Sequence, residues 1–288
     1  MGGDLGDDSD PPPQVGLLGA TFTVTDGHYQ IASILHAPNW HAELRAPLAE
    51  PGVDANVGDW LLAVNGQQLD ATVNLFSAFE MTAGRQVTLT LSSDPDVVAW
   101  KSTREVTVVA LSGAEEQMLR QWAWVEERRL LVEQLSEGKL GYIYMPNTSV
   151  EGYTAFNRGF YSQIGKQGLV IDERTNGGGF VADYVLDMLA RYHFGYFNRR
   201  DHRSYATPRA SILGPKVMII NALSGSGARV RLRASTYLFA CQNAYYFLAV
   251  STCSPACHVM CLSAGVFTAV YLHGINAGMQ VEIGCVSE

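Results

Sequence analysis

One stretch limits the fold more than any other. Gly168-Leu-Val-Ile-Asp172 is an apolar run ending in charge, followed by Thr175-Asn-Gly-Gly-Gly-Phe180, a helical pattern over Val181–Tyr192 and a second apolar run, Lys216–Asn221. Strand, glycine turn, helix, strand is the order of a parallel α/β sheet, and chemistry in such sheets gathers at the carboxyl ends of the strands. The flanking segments agree. Leu140–Met145 reads as a strand that stops at Pro146, and Tyr153–Ile164 has helical spacing. Ala114–Leu135 reads as a long helix, with Glu115, Glu116, Glu126, Glu127, Arg128 and Arg129 solvated and Met118, Trp122, Val125 and Leu130 near one face.

The chain before this helix is written differently. Ala20–Val24, Tyr29–Leu35, Trp60–Val64, Val87–Leu91 and Glu105–Leu111 are short β-rich runs separated by turn signals. Val64-Asn65-Gly66 closes one of them, because Asn-Gly adopts the positive φ angles of a tight hairpin turn at little cost. Between Asp70 and Glu80, Val73, Leu75, Phe76 and Phe79 are spaced as one helical stripe. A small β-barrel with a helix beside it is expected.

Two expected strand ends in the α/β region carry candidates. Asn176-Gly177-Gly178-Gly179 leaves backbone amides open to a ligand. In Asn221-Ala-Leu-Ser-Gly-Ser-Gly227, Ser226 follows Gly225 on a strand-to-helix turn, where its Oγ can project into a crevice beside an amide able to hold an oxyanion. On pattern alone a nucleophile, a phosphate cradle and a structural turn all remain open. No G-x4-G-K-[ST] run is present, so a P-loop nucleotide site is not supported.

Composition removes some classes and exposes a break. With 20 Lys+Arg against 28 Asp+Glu the formal charge is -8, which argues against a nucleic-acid partner. The first residues, GGDLGDDSDPPP after Met1, are acidic and Pro-rich rather than basic then apolar, so they read as a solvated linker, and a cytoplasmic chain is expected. All five cysteines (Cys241, Cys253, Cys257, Cys261, Cys285) lie after residue 240, and from Ala234 onward only Glu282 and Glu288 carry side-chain charge. Three readings of this tail compete. Ala256–Met279 is long enough to span a membrane but holds His258, His273 and Asn276 and has no basic flank. Cys253, Cys257, Cys261 and His258 are close together but lack the paired C-x2-C spacing of zinc sites. A frameshift or unspliced intron explains an abrupt change of composition without any function.

The run Pro51-Gly-Val-Asp-Ala-Asn-Val-Gly-Asp-Trp-Leu-Leu-Ala-Val-Asn-Gly66 resembles the core signature of a PDZ domain. The resemblance implies that Val15-Gly16-Leu17-Leu18-Gly19 forms the loop and strand that bind a peptide terminus through backbone N–H groups, by strand addition and an amide nest. More broadly, residues 15 to about 228 resemble the C-terminal part of the tricorn protease family, relatives of the tail-specific processing peptidases. The joined motifs VGLLGATF, NWHAELRAPLAEPGVDANVGDWLLAVNG, AWVEERR, GYIYMPNTSVEGYTAFNR, VIDERTNGGGF and GPKVMIINALSGSG carry this likeness. It implies an α+β chain: a PDZ-like β-barrel domain at 14–112 and an incomplete crotonase-like α/β peptidase domain at 113–233, between a linker at 1–13 and an atypical Cys-rich tail at 234–288.

Carried over residue by residue, Ser226 matches the family nucleophile, Gly179 the glycine whose amide forms half the oxyanion hole, and Gly227 the position of the second amide. The implied chemistry is peptide hydrolysis through an acyl-enzyme, with peptides or unfolded polypeptides as substrates, no metal, no organic cofactor, and a homo-oligomer in full-length members. The sequence also departs from the family. The general-base histidine and its supporting serine belong to a segment before the PDZ domain, and the family's glutamate to the stretch where the Cys-rich tail stands. After Ser226, Gly-Ala-Arg-Val-Arg-Leu-Arg233 replaces the family's continuation. The acidic position that suits basic substrates in some members falls at Phe197. His193 and His202, in a polar loop, read as surface residues, as do His28, His36 and His41. The expectation is a serine endopeptidase that is weak or inactive as this isolated chain, with a peptide-binding PDZ module or a non-functional fragment as the alternatives.

Overall fold

The computed structural model describes residues 14–38, 41, 44–94, 102–221 and 224, together with strand segments 247–251, 257–263, 266–275 and 278–286. The chain divides into two compact units, Met1–Glu126 and Glu127–Glu288.

In the first unit β1 (Ala20–Thr25), β2 (His28–Ile34), β3 (Trp60–Val64), β4 (Gln67–Gln68), β5 (Gln86–Ser92) and β6 (Thr103–Val109) form one antiparallel sheet. The order is β1-β2-β3-β5-β6, with β4 added to β3, so β1 is an edge strand. Side chains alternate between the faces of a strand. Val87, Leu89 and Leu91 of β5 are accordingly fully buried and join Ile31, Leu61, Leu75 and Phe79 in one core. Asn65 and Gly66 take φ of 50° and 78° between β3 and β4, as the Asn-Gly step requires. The Gly-Asp step of the PDZ-like run has a structural task. Asp59 is buried, accepts the Asn56 amide at 2.7 Å and pairs with the Arg104 guanidinium.

Two sequence expectations need correction here. The helical stripe over 70–80 is reduced to a 3-10 turn, Leu75–Phe79, in which Leu75 and Phe79 are buried while Val73 and Phe76 are exposed. Asp70 accepts the Thr72 amide at 2.8 Å and Asn74 the Phe76 amide at 2.9 Å, and these side-chain turns compete with a continuous helix. In α1 (Gly113–Leu135) the expected faces are also exchanged: Glu116 and Leu119 are buried, while Met118 and Leu130 are exposed. A capping box sets this register. Ser112 N donates to the Glu115 carboxylate at 2.7 Å, and Glu115 N donates back to Ser112 Oγ at 3.3 Å. These bonds hold the Glu115 carboxyl below its usual range, first through the Ser112 amide and then through its hydroxyl. One turn on, Glu116, Leu119 and Arg120 share a face.

The second unit contains β7 (Leu140–Tyr144), α2 (Val150–Ser162), β8 (Gly168–Asp172), α3 (Ala182–Leu189), β9 (Gly195–Arg199), β10 (His202–Thr207), β11 (Lys216–Ile220) and β12 (Phe247–Ser251). Its main sheet has the order β12-β11-β8-β7, every pair parallel, as the strand–glycine–helix–strand pattern predicts. Phe156 and Phe160 of α2 and Val185, Met188 and Leu189 of α3 pack with Ile143, Leu169 and Ile171 of the sheet. Spacings of three and four place these side chains on the covered stripe of each helix. Gln163 finishes the β7 edge, its amide accepting from Tyr142 N at 2.9 Å and donating to Tyr142 O at 3.0 Å. β9 and β10 form a separate hairpin. In the tail β13 (Cys257–Ser263), β14 (Val266–Ile275) and β15 (Gly278–Val286) form an antiparallel meander. No helix among the described residues is long and apolar enough to cross a membrane. Cys257 and Cys261 fall in β13 and Cys285 in β15, and Cys241 and Cys253 lie outside the described residues.

Candidate functional site

The carboxyl ends of β7, β8 and β11 align, since Tyr144 pairs with Asp172 and Asp172 with Ile219. The loops leaving them converge. From β8 comes Glu173–Phe180, tied at its base: Glu173 N donates to Ile219 O at 2.8 Å and Thr175 N to Asn221 Oδ1 at 3.1 Å. Beneath the loop Asp172 is buried, accepting from the Tyr142 hydroxyl at 2.8 Å and from Arg174 Nε at 3.0 Å. Burial, and next the Asp172 charge, push the Tyr142 phenol well above its ordinary range, so it acts as a fixed donor. Thr175 carries a φ of 65°, costly for a β-branched residue, and its hydroxyl is 3.1 Å from that of Tyr144.

Within the glycine run it is Gly179 that excludes a side chain. Gly177 N donates to Pro146 O at 3.1 Å and Gly178 N to Asn176 Oδ1 at 2.8 Å, while Gly178 O accepts from Thr148 N at 2.8 Å. Gly179 has φ of 144°, and a Cβ there would lie 2.2 Å from the Thr148 carbonyl oxygen. Among the described residues the Gly179 amide has no internal acceptor. The next side chain, Phe180, is 98% exposed, so the loop opens to solvent on that side. Asn176 and Thr148 are fully buried, and Asn176 Nδ2 and Thr148 Oγ1 have no hydrogen-bond partner among the described residues.

Ser226 and Gly227 lie outside the described residues, whereas Asn221 and Ser224, close before them in sequence, lie inside. Ser224 is buried. Its hydroxyl donates to Glu173 O at 2.8 Å and accepts the Asn221 amide at 3.1 Å, while Ser224 N bonds Asn221 O at 3.1 Å. Asn221 and Ser224 thus bond each other and the base of the glycine loop. Neither residue stands out as functional from sequence alone. Their signal was present in the N-x-x-S spacing at the end of an apolar strand, which suits a side chain closing back on the backbone. Phe197 is exposed on β9 and stacks on Tyr205 at 5.4 Å, His202 is exposed on β10, and the His193 ring is 4.4 Å from that of Tyr196.

In the first unit the run 16–19 borders a groove of about 550 Å³ between β1 and the 3-10 turn. Leu18, Phe22, Leu75, Phe76 and Phe79 supply its apolar lining, and Glu116 and Arg120 close one end. Gly16 N donates to Phe79 O and Leu17 N to Leu111 O, each at 2.9 Å. Gly19 N donates at 3.0 Å to the Glu116 carboxylate. Leu18 N alone of the four has no internal acceptor among the described residues.

The chain is similar to known proteins over most of its length. Residues 16–113 match the tricorn protease PDZ domain family. Tricorn protease homolog 1 of Streptomyces coelicolor is 35% identical over 212 residues, covering 73% of this chain and 19% of the relative. The tricorn protease homolog of Saccharolobus solfataricus is 34% identical over 214 residues, 74% of this chain and 19% of the relative. Among solved structures, the crystal structure of the tricorn protease superimposes with a TM-score of 0.69 at 26% identity, covering 78% of this chain and 21% of that one. The chain spans about a fifth of the length of the curated relatives it matches.

Proposed function

The chain belongs to the tricorn protease family, and on that basis we propose that it is a serine-type endopeptidase in which Ser226 attacks the scissile carbonyl. The carbonyl oxygen becomes an oxyanion held by the Gly179 and Gly227 amides. Collapse of that adduct expels the amine product and leaves an acyl group on Ser226 Oγ, which water then hydrolyses. The observation that best supports this reading is the Gly179 amide: it lacks an internal acceptor among the described residues and lies in a loop that Asn221 and Ser224, two to five residues before Ser226 in sequence, tie down. The second unit is then a crotonase-like peptidase domain, and the groove beside Gly16–Gly19 in the PDZ-like unit receives peptide. Slow turnover by the isolated chain is expected, since His28, His36, His41, His193 and His202 read as surface residues and a serine without a paired base loses most of its rate. The test is hydrolysis of a fluorogenic peptide by the chain and by its Ser226→Ala variant. Slow cleavage that vanishes in the variant is expected, and equal rates in the two would overturn the assignment.

A further inference from the structure

An extended peptide adds to a sheet by pairing with an unpaired strand edge, and a free terminus is captured where successive backbone amides point at its carboxylate. The first unit has the edge, for among the described residues β1 pairs only with β2. In its amide run, however, Gly16 N and Leu17 N bond carbonyls of the fold and Gly19 N already holds a carboxylate, which leaves Leu18 N alone open among the described residues. The Gly19 amide donates to Glu116 Oε2 at 3.0 Å, and Glu116 is 5% exposed. Arg120, one turn further along α1, donates from Nε to Glu116 Oε1 at 2.8 Å and from Nη2 to the Ala20 carbonyl at 3.2 Å. Leu119 seals the same turn over the loop, lying so close that a Cβ on Gly19 would meet its Cδ2 at 2.9 Å. One helical turn therefore does what the last residue of a bound chain end does: it supplies a carboxylate to the amide run and a donor to the first carbonyl of the edge strand.

We propose that this groove takes an extended, uncharged internal stretch of polypeptide rather than a free chain end, because Glu116 fills the carboxylate seat from within. The inference rests on the proposed peptide-binding role of the groove. Charge complementarity points the same way. An incoming terminal carboxylate meets a buried carboxylate whose donors are already engaged, and two like charges sharing a site disfavour one another. A mid-chain segment carries no such charge, and it pairs with β1 beyond Ala20 while its apolar side chains meet Phe22, Leu75 and Phe76. Such a site lets a peptidase hold an unfolded chain at any point along its length.

The probe is the peptide acetyl-Gly-Thr-Val-Thr-Leu-Thr-Val, made with a free carboxylate and as its amide, titrated into the full chain. The two forms are expected to bind with dissociation constants within about threefold, moving amide signals of β1 while the Gly19 signal stays in place. In Glu116→Ala the acid form is expected to gain at least about tenfold over the amide, since a charge-assisted bond to the released donors becomes available. The Gly19 signal in the unaltered chain gives a second readout should that variant fold poorly. Preference for the acid by tenfold or more in the unaltered chain, with movement of Gly19, overturns the inference while leaving the groove a peptide site. Failure of both forms to bind overturns the peptide-binding role and the inference with it.

Discussion

Replacing Gly179 by alanine tests the link between backbone geometry and chemistry most sharply. At φ of 144° any side chain is strained, and the new Cβ would lie 2.2 Å from the Thr148 carbonyl oxygen. That oxygen cannot simply withdraw. It accepts the Val181 amide at 2.9 Å, and the Thr148 amide in turn donates to Gly178 O at 2.8 Å. Relief requires the loop to move and at least one of these bonds to open. The cost is about 1–3 kcal/mol for the backbone strain and about 1 kcal/mol for a lost hydrogen bond, so about 3 kcal/mol of local stability. Moving an oxyanion donor out of place costs about 10²–10³ in rate. Hydrogen exchange reads the first effect: the Thr148 and Val181 amides should lose protection by roughly a hundredfold, 1.4 kcal/mol being a factor of ten, while Ile171 in β8 keeps its own. Acylation by an activated ester reads the second. A variant that retains both protection and acylation rate within twofold would refute the argument.

Other expectations follow from the same structure. Asp59→Ala removes the acceptor of the Asn56 amide and one of the two carboxylates on Arg104, whose Nε keeps Asp54 at 3.2 Å, and should destabilise the first unit by about 1–3 kcal/mol in urea unfolding; a change below about 0.5 kcal/mol would contradict the structural role. Ser224→Ala removes the bonds between Ser224 and the base of the glycine loop, and should slow acylation several-fold; an unaltered rate would show that these bonds position nothing. Burial lowers the Lys216 ammonium from its usual 10.5 to about 8. The unfolded chain then binds more protons between about pH 8 and 10.5, so the stability of the second unit should rise across that window. Lys216→Met should flatten the rise, and an equal slope in both proteins would contradict the burial cost.

Much of the fold was legible because burial writes a period into the sequence. The alternation of Val87, Leu89 and Leu91 marks a half-buried strand, and the apolar run Gly168–Asp172 before a glycine turn marks a strand of a parallel sheet. What escaped had another cause. The segment 70–80 carries a helical spacing of apolar residues, but Asp70 and Asn74 direct the backbone into turns, and local side-chain bonds outweigh a short stripe. Glu116 reads as solvated because a lone carboxylate in a charged helix normally is. Its burial depends on a capping box four residues upstream and on the Gly19 amide far away in sequence. The capping signal Ser112-Gly-Ala-Glu115 was readable, but the partner was not. The same holds in the candidate site: glycines and a serine mark the loops, whereas the side chains that tie those loops together, Asn221 and Ser224, gain meaning only once β8 and β11 lie side by side.

Whether Ser226 acts as a nucleophile beside the Gly179 amide can be read on the protein itself. The direct measurement is to expose the full chain to a peptidyl nitrophenyl ester, whose good leaving group lowers the demand for a general base, and to map the acylated residue by mass spectrometry. A single acyl group on Ser226 is expected, absent in Ser226→Ala and formed far more slowly in Gly179→Ala. Acylation of some other residue, or an equal yield in the Ser226→Ala variant, would contradict it.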